Sequence, residues 1–398
     1  MEYFIANGEE PKAAKIATLK LEHIYYKNDA VYAKTKEALK NQPKKLEALY
    51  FLSKPSTEEI AYLVKLVVTH LSNKSKVQAT LLQCFHHAIH NRYFDAKNLL
   101  MNTHISETIP KQPIQLQVIY NRTIVQIGLC AFRTGLFAEC NQVLGDIYTS
   151  PKIKESLAQG SSGFYRQQQE KTLEEEIEEK RRFTPPHLQI NLEHVEVVYM
   201  TTSMLLEIPN ISENKFTVQR DVISRNFRKL IEQYDQKGMQ FVPQTSRDKI
   251  VEAARALHKS DWTEAFKRIS TINMFARLEE FQRGQLKEQL LSAFKDAALK
   301  IFVIESESQY ESFSITNVCQ QFDITKESLI KQVSKLIVKD TISGRIDLAS
   351  NAVIFNKQSQ SALSSDNRAE MDYLQSVNLE KIRQLVDSND RCMELLVN

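Results

Sequence analysis

Glycine is scarce in this sequence: 9 of 398 residues, where average usage of about 7% would give roughly 28. Few positions can take a positive φ without cost or bring bare backbone up to a phosphate, so Gly-rich cradles are disfavoured. No Gly-x-x-x-x-Gly-Lys-Ser/Thr loop, Gly-x-Gly-x-x-Gly turn or Gly-x-Ser-x-Gly elbow occurs. The five cysteines, Cys84, Cys130, Cys140, Cys319 and Cys392, form no Cys-x-x-Cys pair. An odd, scattered set excludes a disulfide framework and suits a reducing compartment. No run approaches 18 apolar residues, and Met1–Lys20 lacks the charged start and apolar core of a signal peptide. A soluble, cytoplasmic chain is expected. The formal net charge of +3 is too balanced to mark a nucleic-acid binder on its own. The charge is uneven, however, with 18 Lys and Arg against 12 carboxylates in residues 1–140.

What is abundant is helical periodicity. Apolar residues recur at spacings of three and four up to about residue 300, which marks amphipathic helices. One local pattern appears three times. Asn91, Gly135 and Ser260 sit at helix breaks; Tyr93, Phe137 and Trp262 follow two residues later; Ala96, Cys140 and Ala265 follow five residues later. A turn residue, an aromatic wedge and a small residue that admits the paired helix describe stacked hairpins of the tetratricopeptide kind. The 44-residue step from Tyr93 to Phe137 exceeds the regular repeat, so the array is irregular. An exposed insertion is expected at 160–186, between the Gly160-Ser-Ser-Gly163 joint and Pro185-Pro186, with a charge run at Glu174–Arg182.

The pattern changes after Ile304. Glu311–Ile315 can be extended, Thr316–Phe322 is helical, Asp323 and Thr325 are capping candidates for a helix to Lys339, and Thr341–Leu348 and Asn351–Phe355 form a ribbon. Helix, helix, ribbon is winged-helix order. In the tail Asn378, Ile382, Leu385, Asn389, Cys392 and Leu396 step by 4, 3, 4, 3, 4, a seam of the coiled-coil type. The expected architecture is therefore all-α: an irregular tetratricopeptide-like helical-hairpin array over 1–300, a winged helix over 301–358 and a C-terminal helix over 361–398.

No constellation for catalysis emerges. His86 and His90 form an i, i+4 pair, but the Glu of a His-Glu-x-x-His helix is missing and no third ligand is evident. No catalytic residue, metal or cofactor is expected. On the second winged-helix helix, Leu329, Ile330, Val333, Leu336 and Ile337 form the face to be buried, and Lys331, Lys335 and Lys339 a stripe opposite. Lysines grip phosphates but specify little sequence. Gln332 is that helix's lone candidate for reading a base edge.

Helical hairpins flowing through one long helix into a winged helix resemble the PCI-domain family. Three segments sharpen the resemblance: His86-His-Ala-Ile-His90-Asn-Arg-Tyr-Phe-Asp95, Ile119-Tyr-Asn-Arg-Thr-Ile-Val-Gln-Ile-Gly128, and His187-Leu-Gln-Ile-Asn-Leu-Glu193 with Met204-Leu-Leu-Glu-Ile-Pro209. Together with Asp261-Trp262 and the winged helix, they resemble the c-subunit family of eukaryotic translation initiation factor three over roughly residues 20–357. The resemblance implies a non-catalytic scaffold that joins other PCI and MPN subunits and other initiation factors, docks on the small ribosomal subunit through rRNA and ribosomal proteins, and needs neither a membrane nor a small-molecule substrate. A lid or signalosome subunit, or a winged-helix nucleic-acid binder, remains the alternative. Members carry a long N-terminal region; this chain begins almost at the helical array, as a trimmed subunit or a fragment would. Ribosome-contact candidates are Lys12, Lys15, Lys20, Lys27 and Lys34, with Lys331, Lys335 and Lys339. Subunit-contact candidates are Arg345, Val353 and Phe355 on the ribbon, and Ile382, Leu385 and Leu396 on the tail seam.

Overall fold

The computed structural model describes residues 2–39, 55–150, 152–160, 183–213, 222–237, 243–272, 280–339 and 341–356, and in the tail 375, 378–383, 385, 386 and 389. The chain forms two compact units, Met1–Thr202 with Leu278–Leu286, and Ser203–Arg277 with Lys287–Asn398.

The first unit holds α1 (Glu2–Ala6), α2 (Glu10–Ile24), α3 (Asp29–Leu39), α4 (Ser56–His70), α5 (Asn73–Ile89), α6 (Tyr93–Asn102), α7 (Ile105–Thr108), α8 (Ile114–Arg133), α9 (Phe137–Tyr148), α10 (Ile153–Ser156) and the start of α11 (Leu192–Glu213). Sequential helices pair as the apolar spacing requires. Leu21 and Ile24 of α2 meet Ile60, Leu63 and Val67 of α4, and Ala79, Leu82 and Phe85 of α5 complete the cluster. Ala13, Ala14 and Ala17 are fully buried on α2; with no bulk beyond Cβ they let the neighbouring helix come close. Each fully buried Leu or Ile contributes about 1.5–3 kcal/mol. Where α8 crosses α9, Gly128 faces Leu144 so closely that an added Cβ would lie 2.5 Å from Leu144 Cδ2.

The threefold turn pattern has a single geometry. Asn91, Gly135 and Ser260 take φ of 58°, 80° and 61°. At each turn the next N–H reaches back five residues: Arg92 to the His87 carbonyl, Leu136 to Ala131 and Asp261 to Ala256. A left-handed residue with a six-to-one bond is the Schellman ending, which satisfies carbonyls the helix would leave open. Glycine enters the left-handed region freely and asparagine readily, whereas Ser260 is held there at some cost. Ala96, Cys140 and Ala265 are fully buried, and Tyr93, Phe137 and Trp262 open the second helix of each pair.

The second unit contains the rest of α11, α12 (Arg225–Lys237), the hairpin α13 (Ser246–His258) and α14 (Trp262–Ser270), most of α15 (Glu280–Gln309), and the winged helix. A reciprocal capping box of Thr245 and Asp248 starts α13, and Asp261 Oδ1 accepts from the Thr263 and Glu264 amides to start α14. The winged helix runs β1 (Ser312–Ser314), α16 (Ile315–Phe322), α17 (Lys326–Val338), β2 (Gly344–Asp347), β3 (Ala352–Phe355). Its strand order is β1-β3-β2, antiparallel throughout. The segment at 311–315 thus supplies a third strand. Thr325 caps α17, accepting from the Ser328 amide, whereas Asp323 takes a left-handed φ at the end of α16.

Candidate partner-binding surfaces and their anchors

The ribbon divides its candidates. Val353 and Phe355 are 1% and 5% exposed, because β3 is the central strand and alternate residues of a strand point to one face. Phe355 packs on Phe313, Phe313 on Phe302 and Phe302 on Phe322, with centroids 5.5–6.0 Å apart. These two side chains therefore build the module's own core and are corrected as contact residues. The outer strands β1 and β2 each keep an unpaired edge, and Arg345 is exposed on β2. Gly344 opens that strand because an added Cβ would lie 3.0 Å from the Ile354 carbonyl oxygen.

On α17 Leu329, Val333 and Leu336 are buried, Ile330 and Ile337 half-buried, and Lys331, Lys335 and Lys339 exposed. The lysine stripe is partly answered from nearby. Gln332 donates to Asp296 of α15, so the lone base-reading candidate is already engaged. Burial raises the Asp296 pKa, against the hydrogen bond from Gln332 and the charge of Lys335. Glu213 accepts from Lys300 Nζ at 2.6 Å and Thr341 Oγ1 at 3.0 Å. Its burial opposes ionisation, but Lys300, Thr341 and Lys339 together hold the carboxyl below the usual range. Residues 311–356 carry five basic and five acidic side chains.

The N-terminal lysines are unequal. Lys12 pairs with Glu9 at 2.7 Å. Lys20 pairs with Glu59, whose carboxylate is 8% exposed. Lys15 and Lys34 are exposed, and Lys27 is half-buried. Residues 1–34 hold five lysines and five carboxylates, so the basic surplus of the first 140 residues lies wholly beyond them. In the tail Ile382 and Leu385 are 56% and 69% exposed on a helical stretch, beside Leu379 and Val386. Leu396, Cys392 and residues 161–182 of the expected insertion lie outside the described residues.

The three segments that carry the family resemblance serve mainly as internal anchors. His86 is fully buried, with Nδ1 at 3.2 Å from the Tyr25 carbonyl and Nε2 at 3.3 Å from Ser56 Oγ. Arg122 Nη2 donates to the Leu188 carbonyl at 2.7 Å and the guanidinium lies over the Phe85 ring. His187 packs on Tyr26. Glu207 is fully buried, accepts from the Ile223 and Ser224 amides at 2.9 Å each, and pairs with Arg228. Its carboxylate thus sits at the N-terminus of α12, where orphan amides and the helix dipole favour negative charge. Trp262 Nε1 donates to the Gln321 carbonyl at 3.3 Å, under Lys295 Nζ, which itself reaches Asp323. None of these long-range partners could be read from spacing.

The thiols fit the same picture. Burial pushes Cys84 and Cys140 up to about 12 and Cys130 to about 11, which removes the thiolate that reactivity requires. Among the described residues no three His, Cys, Asp or Glu gather as a metal site, and no helix is long and apolar enough to cross a membrane.

Comparison with known proteins is consistent from end to end. Residues 1–218 match the family described as "Eukaryotic translation initiation factor 3 subunit 8 N-terminus". The chain is 30% identical over 398 residues to the C subunit of eukaryotic translation initiation factor 3 from Culex quinquefasciatus, covering 99% of this chain and 42% of that protein. Against the Botryotinia fuckeliana counterpart it is 30% identical over 403 residues, covering 98% and 45%. Against that of Anopheles gambiae it is 28% identical over 391 residues, covering 98% and 39%. The chain thus spans less than half the length of these relatives. The matched family covers more than half of the chain, and the relatives cover nearly all of it: the chain belongs to the C-subunit family of eukaryotic translation initiation factor 3.

Proposed function

We propose that the chain is a non-catalytic scaffold of the initiation factor 3 complex in the cytoplasm, joining neighbouring PCI and MPN subunits and docking on the small ribosomal subunit during preinitiation complex assembly. The observation that carries this reading is the use made of the buried polar groups. His86, Arg122 and Glu207, which sit inside the family segments, are hydrogen-bonded to backbone or to other side chains of the same unit. Residues spent on internal anchoring indicate a fold kept for its shape. Among the described residues, what the chain offers outward includes the open strand edges of β1 and β2 and the apolar tail residues Leu379, Ile382, Leu385 and Val386. An unpaired edge is a template for another strand, and an exposed apolar helix stripe is a template for a helical bundle. The even charge of residues 311–356 supports a protein partner for the winged helix over a nucleic acid, which rewards a net positive surface.

The test is to tag the chain in its native cell, purify it at physiological salt and identify its companions by mass spectrometry. Subunits of initiation factor 3 with small-subunit ribosomal proteins are expected. Recovery with proteasome or signalosome subunits would leave the fold standing and overturn the scaffold assignment. Within that assembly, Ile382→Asp with Leu385→Asp should release the chain from its neighbouring subunits.

A further inference from the structure

The histidines singled out by the sequence belong to a cluster whose protons do not add up. His86 and His90 stack with centroids 4.1 Å apart near the end of α5. His86 Nδ1 faces the Tyr25 carbonyl at 3.2 Å, and its Nε2 faces Ser56 Oγ at 3.3 Å. Ser56 Oγ donates to Asp29 Oδ1 at 2.5 Å. His90 Nδ1 faces the His86 carbonyl at 3.0 Å, which turns Nε2 toward Asp29 Oδ2 at 3.3 Å.

Every one of these five contacts needs a proton, because carbonyl and carboxylate oxygens only accept. Two neutral imidazoles and one hydroxyl bring three. The short Ser56–Asp29 contact claims the hydroxyl proton, and the Tyr25 and His86 carbonyls compete for the rest. Facing lone pairs are left at two places: His86 Nδ1 with Tyr25, and His90 Nε2 with Asp29. The two differ in surroundings. The His86 imidazole is wholly buried against a neutral carbonyl; burial first, then the charge of His90, push it down to about 4. It stays neutral. The His90 side chain is 7% exposed and its Nε2 has no hydrogen-bond partner, yet it faces a carboxylate that is 61% exposed and open to solvent protons.

We propose that His90 and Asp29 form a proton-binding latch that couples pH to the seating of α3 on α5. A proton taken from solvent onto His90 Nε2 converts two opposed lone pairs into a charged hydrogen bond to Asp29 Oδ2, and nothing else is exchanged. The charged and titratable groups facing the pair are His86 and His87 on α5 and, beyond His87, Arg92 and Asp95. From α2 and α4 come only the neutral Tyr25 carbonyl and Ser56 hydroxyl. For Asp29, burial opposes ionisation, but the Ser56 hydrogen bond and the charge of His90 hold the carboxyl below the usual range, the reciprocal effect expected of such a pair. A proton bound in the folded chain stabilises it at low pH and is released as pH rises.

The test is hydrogen exchange on the full chain, read at the amides of 29–39 and corrected for intrinsic rates. Lowering pH from about 8 to about 6 should raise protection of α3 about tenfold in the parent, and less than twofold in His90→Gln and in Asp29→Asn. His70→Gln, which leaves the latch intact, should keep the tenfold change. Equal pH dependence in His90→Gln and parent would overturn the latch, as would a parent whose α3 protection ignores pH. Nitrogen-15 histidine spectra supply a second reading: the latch requires protonated His90 Nε2 at pH 6, and a bare Nε2 there would exclude it.

Discussion

Arg133 closes the turn made by Asn91, 42 residues earlier in the chain: its Nε donates to Asn91 Oδ1 at 2.7 Å, and its Nη2 to the Ala88 carbonyl at 2.8 Å. One guanidinium at the end of α8 thus caps the end of α5. Burial pushes the guanidinium pKa below the ordinary arginine range, with the nearby Cys130 and Cys140 opposing that shift. These two acceptors are neutral, so the arrangement works through hydrogen bonding in a dry setting, where an unmade bond is expensive.

The Asn91 position therefore has two duties that substitution separates. Asn91→Gly keeps the left-handed turn but removes the acceptor; Asn91→Ala loses the acceptor and strains the turn by a further ~1–2 kcal/mol. Urea unfolding should rank the variants parent, Gly, Ala in falling stability. Arg133→Met should cost about 2–4 kcal/mol in the parent and clearly less in the Asn91→Gly background, since one of its partners is already gone. Additive costs would mean that the pair is not coupled.

That turn also shows what was legible in the sequence. Asn91, Gly135 and Ser260 were readable because a left-handed residue restricts the choice of side chain, and the wedge and small residue follow at fixed offsets on a helix. The winged helix was readable by element order. Its strand order was not: nothing local places β3 between β1 and β2, so Val353 and Phe355 looked outward until the sheet was assembled. The anchors were hidden for the same reason. Asp29, Ser56 and His86 are 27 and 30 residues apart, and Glu207 meets the α12 amides across a stretch with no periodicity. Periodicity reports faces, and such contacts are made between faces that only the fold brings together.

Glu207 should be the most sensitive of these anchors in the second unit. Glu207→Gln keeps the shape but gives up the charge that answers Arg228 and the Ile223 and Ser224 amides. A loss of about 2–4 kcal/mol is expected, as when one partner of a buried pair is removed. Exchange should quicken first at residues 222–228, the entry to α12, before the rest of the helix. Unchanged protection there would show that Arg228 and Ser224 hold the entry without the carboxylate.

Acid should weaken the first unit through His86. Its folded pKa, about 4, lies below the ordinary value of 6.5. A depressed histidine contributes its stability fully above about pH 6.5 and loses it as pH falls toward 4, because the unfolded chain then binds the proton that the folded one refuses. The shift corresponds to up to about 3 kcal/mol. Thermal melts from pH 7 to pH 4 should show this decline, and His86→Gln should flatten it. An equal decline in the parent and in His86→Gln would remove this histidine from the account.

The lysines can be sorted by the same physical criterion. A lysine that already faces a carboxylate gains little from a phosphate, because the pair must first be broken and its partner left exposed to the anion. Lys12 and Lys20 are so engaged, the latter with a buried Glu59. Lys15 and Lys34 are exposed and Lys27 half-buried. If this face meets rRNA, reversing Lys15, Lys27 and Lys34 together should weaken co-sedimentation with the small subunit, and the effect should shrink as salt rises, since phosphate contacts act by counterion release. Lys20→Glu should behave differently: it strands the Glu59 carboxylate beside a like charge and should lower the melting temperature by several degrees. Full co-sedimentation after the triple reversal would move the ribosomal contact away from α2 and α3, toward the basic surplus that lies beyond residue 34.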